Sequence, residues 1–236
     1  MNKKYKADTY EKSFMDQNMM GPNSMVILEE LLENIELSAN MRVLDLGCGR
    51  ALSSIFLAKE FGVQVFAVDL WIEATDNYKR IQQMGVEDLV VPIHVDAHEL
   101  PFADEYFDAL ISIDAYQYFG NNDIYYDKHL KHLLKKDALV AIAIPGMKNE
   151  LGDHVPDEME PYWPEEARNE WHAIDWWKDK FKGKIKNLEV KEMNCFDKAW
   201  NDWLSTENPY AVGDRKMMAA DNGRYMNLVS ITGKAV

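Results

Sequence analysis

The sequence predicts an α/β protein, and three observations carry that reading. Short apolar runs of strand character alternate with amphipathic stretches of helical period along most of the 236 residues. Several of these runs end in Gly or Asp, as strands do where they pass into turns. No internal repeat and no low-complexity tract interrupts the alternation. The length suits one large domain, whose usual upper size is roughly 200 to 250 residues. A hydrophobic fraction of 47% and an aromatic fraction of 11% supply a substantial core.

Taken in order, NSMVILEELLENIEL places Leu28, Leu31, Leu32 and Ile35 at helical spacing behind Pro22, with Asn23 or Ser24 as cap. MRVLDLGCG is a continuous apolar run ending at glycines, the pattern of a strand buried on both faces and followed by a tight turn. RALSSIFLAKEF is helical and stops at Gly62. A strand over 63–69, a helix stopping at Gly85 and a strand over 89–96 repeat the unit. Strand 109–114, a helix over 124–135 and strand 138–145 bring the parallel sheet to at least five strands. The rhythm then breaks over 146–173, rich in Pro and acids, which reads as an inserted lid; residues 1–22 read as an N-terminal cap segment. Helix 175–181, strand 185–194, helix 196–204 and strand 225–232 close the chain.

With 40 acidic and 26 basic residues the formal charge is -14, which repels phosphate backbones and anionic lipid. Nucleic acid is thereby disfavoured as a partner. No uncharged apolar run approaches the roughly 20 residues that span a bilayer, and MNKKYKADTYEK carries charges where a signal peptide needs an apolar stretch. The expectation is a soluble, cytoplasmic protein that does not engage a membrane. Cys48 and Cys195 are expected as free thiols. His94 and His98 lie across a strand end, and His129 and His132 share a helical face with lysines that repel a cation, so no metal is expected.

In open α/β sheets ligands bind outside the carboxyl ends of the strands. Four successive strands leave a carboxylate there: Asp45 with Gly47, Cys48 and Gly49; Asp69; Asp96 with Ala97 and His98; and Asp114. The glycines permit a sharp turn and close backbone approach. Asp69 at the end of the second strand is placed to accept both hydroxyl protons of a ribose, which implies a nucleoside. A dinucleotide would want a third glycine where Leu52 stands, and its pyrophosphate would be repelled by Asp45. An acid beside the turn suits a ligand with an ammonium or sulfonium, as in S-adenosylmethionine.

VLDLGCGRA, VFAVDLW, VDAHELPF and FDALISIDAYQYF resemble the four successive nucleoside-site motifs of the class I S-adenosylmethionine-dependent methyltransferases, over about residues 20 to 145. The resemblance implies a Rossmann-like methyltransferase fold, with a mostly parallel seven-stranded sheet covered by helices on both faces. It also implies that the turn Gly47, Cys48, Gly49 and Asp45 hold the methionine part, that Asp69 holds both ribose hydroxyls, and that Leu70 lies against the adenine. Asp96, Ala97 and His98 would meet the adenine edge, and Asp114 the ammonium and methyl group. GPNS at Gly21 to Ser24 resembles the turn that opens the preceding helix, whose free amides would face the cofactor carboxylate. The Lys-Pro-Gly-Gly turn usual in the family is here KKDA. Gln117 and Tyr118 stand where the cyclopropane-fatty-acid-synthase branch has Glu and His, which argues against that chemistry.

The activity implied is transfer of the sulfonium methyl to a small-molecule N or O acceptor, cationic or aromatic, by in-line displacement. Tyr116 is the preferred base, ahead of Tyr118 and His98. Tyr118, Tyr162 and Trp163 are the acceptor-side candidates, because aromatic faces hold cationic or planar groups. Residues 149–170 carry eight acids and one Arg, a net -7 that favours a cation over a phosphorylated acceptor. The alternatives are a sensor that binds S-adenosylmethionine without transferring its methyl, and a nicotinamide-dependent oxidoreductase, which Leu52 and Asp45 disfavour.

Overall fold

The computed structural model describes residues 4–152 and 154–236; residues 1–3 of the expected cap and Asp153 of the expected insertion lie outside them. Seven described strands, β1 (Arg42–Leu46), β2 (Gln64–Asp69), β3 (Val90–His94), β4 (Phe107–Ile113), β5 (Leu134–Met147), β6 (Ile185–Glu192) and β7 (Met226–Ala235), form one sheet in the order β3-β2-β1-β4-β5-β7-β6. β3, β2, β1, β4 and β5 pair in parallel, while β7 runs antiparallel to both β5 and β6. The order turns at β1, from which β2 and β4 lie to opposite sides. That reversal opens the crevice where α/β sheets take ligands.

The described helices are α1 (Lys12–Asn18), α2 (Ser24–Leu31), α3 (Leu52–Phe61), α4 (Ala74–Gln83), the short α5 (Gln117–Gly120) and α6 (Glu165–Glu170), α7 (Ile174–Phe181), α8 (Phe196–Leu204) and α9 (Pro209–Asp221). Two buried clusters line opposite faces of the sheet. One joins Val43, Ile111 and Ala141 to Leu28 of α2, Ile55 of α3 and Trp203 of α8. The other joins Leu44, Leu110 and Val140 to Tyr126, Trp177 and Phe181. Adjacent strand residues entering opposite clusters is what continuous apolar strands require.

The boundaries follow local chemistry. Asn23 caps α2 by accepting from the amides of Met25 and Val26. α2 stops at Leu31, before the expected Ile35. The helix expected over 124–135 is instead a π turn (Tyr126–Leu130) running into a 3-10 turn (Lys131–Leu133). Tyr125, Tyr126, Leu130 and Leu133 are all buried, and the wide turn brings both adjacent tyrosines inward, where α-helical spacing would splay them apart. β5 starts early because Leu134 pairs with Phe107 before the register shifts to Ala109 with Leu139; KKDA forms that irregularity. α9 was not foreseen, although Asn208 caps it and Pro209 opens it.

Candidate active site

Above the carboxyl ends of β1 to β4 lies a cavity of about 270 Å³. Its floor is the turn after β1. Gly47 has φ +74°, and a Cβ there would fall 2.3 Å from Cβ of Ala115, so only glycine fits beneath the loop that follows β4. Gly49 donates its amide to Oδ2 of Asp69 at 2.8 Å, tying the turn to the end of β2. Oδ1 of Asp69 accepts from the amides of Trp71 (2.8 Å) and Ile72 (2.9 Å). Three of the carboxylate's roughly four lone-pair directions are thus engaged. Gripping both hydroxyls of a ribose requires exchanging an amide for a hydroxyl.

Gly21, Gly47, Cys48, Gly49, Asp69, Leu70, Asp96, Ala97, His98, Asp114 and Tyr118 all line this one cavity. Asp96 accepts from the His98 amide (2.8 Å) and faces its Nδ1 at 2.7 Å, and the amide first, then the ring, hold its carboxyl below the usual range. The Cys48 thiol is buried and its pKa pushed up by burial, which makes it a poor nucleophile; neither cysteine is in a disulfide. Asp114 follows β4 with φ +53°, a left-handed conformation that Asp tolerates better than most residues. Its Oδ1 receives Nε2 of Gln117 at 3.2 Å. Its Oδ2 lies where a Cβ on Gly21 would be 2.6 Å away, so the bare glycine makes room for the acid. Burial, reinforced by Asp214 and opposed by Gln117, raises the Asp114 pKa to about 7.

Four expectations are corrected. Asp45 does not line the cavity: it is fully buried and accepts from Ser53 (2.6 Å) and Ser54 (2.5 Å) at the start of α3, reaching the cavity only through Ser53. Burial pushes its pKa up to about 6, and its Oδ1 has no partner. Tyr116 is not at the cavity either. It is 1% exposed, packed against Phe119, Tyr125, Trp177 and Phe181 on the opposite face of the sheet, and burial pushes its phenol well above the ordinary value. The left-handed turn at Asp114 redirects the chain, so that Tyr116 points into the core and Tyr118 into the cavity. Tyr162 and Trp163 also miss it: Trp163 is buried against Trp171 and Tyr225, and Tyr162 packs on the same cluster. The amides at the start of α2 are partly taken, because Oδ1 of Asn23 holds those of Met25 and Val26.

The structure adds residues that sequence reasoning missed. Asn18, Met19 and Met20 bring the segment before α2 over the cavity, and Arg50 lines its wall. Trp71, 65% exposed, meets Tyr118, 51% exposed, edge to face at 5.3 Å, so the loops after β2 and β4 touch across the cavity mouth. A tryptophan directly after VDL and an arginine directly after GCG were the available signals. Among the described residues no group of three His, Cys, Asp or Glu side chains gathers as a metal ion would need. No described helix is long and apolar enough to cross a membrane.

A doubly wound sheet with a glycine turn and acids at its switch point defines a nucleoside-binding α/β protein. Residues 43–137 match the family model described as the methyltransferase domain. Methyltransferase GfsG of Streptomyces halstedii is 29% identical over 126 residues, which is 53% of this chain and 45% of that protein. Phosphoethanolamine N-methyltransferase 2 of Haemonchus contortus, solved with S-adenosyl-L-methionine, is similar with TM-score 0.75 at 18% identity, over 95% of this chain and 56% of that one. Geranyl diphosphate C-methyltransferase of Streptomyces coelicolor A3(2) is similar with TM-score 0.70 at 14% identity, over 91% of this chain and 78% of that one. The chain spans under half the length of the curated relatives it matches. Residues 43–137 are thus similar to a methyltransferase domain, and the solved structures share the fold.

Proposed function

We propose that the protein transfers the sulfonium methyl of S-adenosylmethionine to a nitrogen or oxygen of a small acceptor. The observation that carries this reading is that the glycine turn, Asp69, Asp96 and Asp114 converge on a single cavity. The residues fit the cofactor. A Cβ at Gly47 would fill the cradle, Oδ2 of Asp69 keeps a lone pair for a ribose hydroxyl, and Leu70 offers an apolar surface to an adenine.

When bound, the cofactor supplies an electrophilic methyl whose transfer neutralises charge, so alignment and exclusion of water are the protein's main tasks, worth roughly 7 to 11 kcal/mol. The floor at Gly47 to Gly49 and the Asp69 bridge orient. Trp71 and Tyr118 shield the mouth from water. Asp114 takes the role first assigned to Tyr116: a carboxyl raised to about 7 by burial accepts a proton from an acceptor N–H or O–H near neutrality. Acids at the cavity and the net -7 of residues 149–170 favour an amine over a phosphorylated acceptor. We read residues 1–22 as a cap, supported by Asn18 to Pro22 on the cavity wall, and 146–173 as a lid packed on the same face of the sheet. We also read the protein as cytoplasmic and, from its charge of -14, as not a nucleic-acid binder.

The test supplies cofactor with a labelled methyl and separate pools of amines, phenols and carboxylic acids. Label is expected in the amine pool and to be lost with Asp114→Asn. Cofactor binding without label in any pool favours the sensor.

A further inference from the structure

The mouth of the cavity carries more exposed apolar surface than any ordinary crevice in so acidic a protein needs. Among the described residues ten large apolar side chains are exposed, and four of them, Met20, Leu70, Trp71 and Tyr118, line this one cavity. Apolar side chains scattered singly over a surface are normal, whereas a set gathered around a crevice marks a binding surface. Trp71 and Tyr118 touch, ring to ring, at 5.3 Å. Met20 comes from the segment before α2, with its Sδ 3.2 Å from where a Cβ on Gly49 would stand. An adenine seated on Leu70 still leaves Met20, Trp71 and Tyr118 uncovered at the opening through which an acceptor enters.

Beneath this rim the charge is negative. Asp114 lines the cavity, with only the neutral Gln117 donating to its Oδ1. Partial burial first, then the charges of Asp114 and Glu170, raise the pKa of the Tyr118 phenol, so negative potential reaches the mouth itself. Arg50 also lines the wall, where it follows the glycine turn and donates to the Gln17 carbonyl at 2.7 Å. An apolar rim over an acid fits a molecule with a cationic head and an apolar body, and it disfavours one that carries its own carboxylate or phosphate.

We propose that the acceptor is an amphipathic amine, whose ammonium enters toward Asp114 while its alkyl or aromatic body stays against Trp71, Tyr118 and Met20. The inference rests on the methyl-transfer reading of the site and narrows its acceptor. Asp114 takes one proton from the ammonium. The freed nitrogen pair forms the N–C bond as the C–S bond breaks with its electrons to sulfur, and the proton passes from Asp114 to solvent, leaving a methylated amine and S-adenosylhomocysteine.

The test measures initial rates at saturating S-adenosylmethionine with n-alkylamines from propylamine to octylamine. In the native protein kcat/KM is expected to rise roughly two- to fourfold per methylene, as when half or all of each methylene leaves water, with the gain in KM and kcat nearly constant. Trp71→Ser should lower that factor below about 1.5, and Trp71→Phe should keep most of it. The factor is a ratio within one preparation, so a smaller folded fraction cancels. Phenethylamine should also be preferred to phenylalanine by at least about tenfold, the scale of one unfavourable charge contact. Methylation of amines at a rate independent of chain length, an unchanged factor in Trp71→Ser, or equal use of phenethylamine and phenylalanine overturns this proposal alone. So does a flat series together with a dimer in sedimentation that Trp71→Ser dissociates, because a second copy then covers the rim. Cofactor binding with no amine methylated refutes the amine reading of the site and this inference with it.

Discussion

Asp114→Asn isolates the charge of the acid nearest the proposed chemistry. Asn is nearly isosteric, tolerates the left-handed backbone at φ +53°, and still offers an oxygen to Gln117. An ordinary carboxyl titrates near 3.9, whereas Asp114 is held to about 7, chiefly by burial. Those about 3 pH units correspond to about 4 kcal/mol, and solvent reaching the cavity wall reduces the figure to about 2 kcal/mol. Between pH 4 and 7 the native state binds more protons here than the unfolded chain, so this group makes stability fall as pH rises, with the fall complete above 7. Asp45, raised to about 6, makes stability fall between about pH 4 and 6 in both proteins and cancels in the comparison. Urea melts at pH 5 and pH 8 measure the difference. The variant's margin over the native protein should grow by about 1 kcal/mol from pH 5 to pH 8, while methyl transfer is lost. A margin that is the same at both pH values, or smaller at pH 8, refutes the assignment of a buried acid whose pKa is raised.

Tyr116→Phe should leave methyl transfer within about twofold, whereas Tyr116→Ala should cost about 3 to 5 kcal/mol in denaturant melts, because the ring is core; a large activity loss in the Phe variant would restore Tyr116 as a base. Gly47→Ala and Gly85→Ala both place a side chain at positive φ, costing about 1 to 2 kcal/mol, but only Gly47 meets a neighbour, at 2.3 Å, so only that variant should lose cofactor affinity in calorimetry. Cofactor binding should tighten as pH rises toward 7 and then level off, since a bound ammonium favours ionised Asp114; the same titration with Asp114→Asn should be flat, and a parallel slope there contradicts the pairing.

The glycine turn and the strand-end acids were legible because each is local: apolar run, turn residue and acid adjoin in sequence, and the parallel order of β1 to β4 carries them to one edge. Asp45 shows the limit. Its position after β1 was clear, yet its orientation depends on Ser53 and Ser54 eight and nine residues later. Tyr116 lies in the core while Tyr118 lines the cavity because a single left-handed residue, Asp114, redirects the chain, and nothing in the period of the strand announces it. Trp71 with Tyr118, and Arg50 with Gln17, are meetings between segments 47 and 33 residues apart, which spacing alone does not reveal. Trp163 attracted attention by its type and proved to be packing against Tyr225.

Titration of S-adenosylmethionine into the native protein and into Asp69→Ala tests the central claim most directly. The account predicts one site per chain in the native protein and at least tenfold weaker binding in the variant, which loses a charged hydrogen bond of about 1.5 to 3 kcal/mol together with the bridge to Gly49. No heat from the native protein, or the same affinity in both, would contradict it.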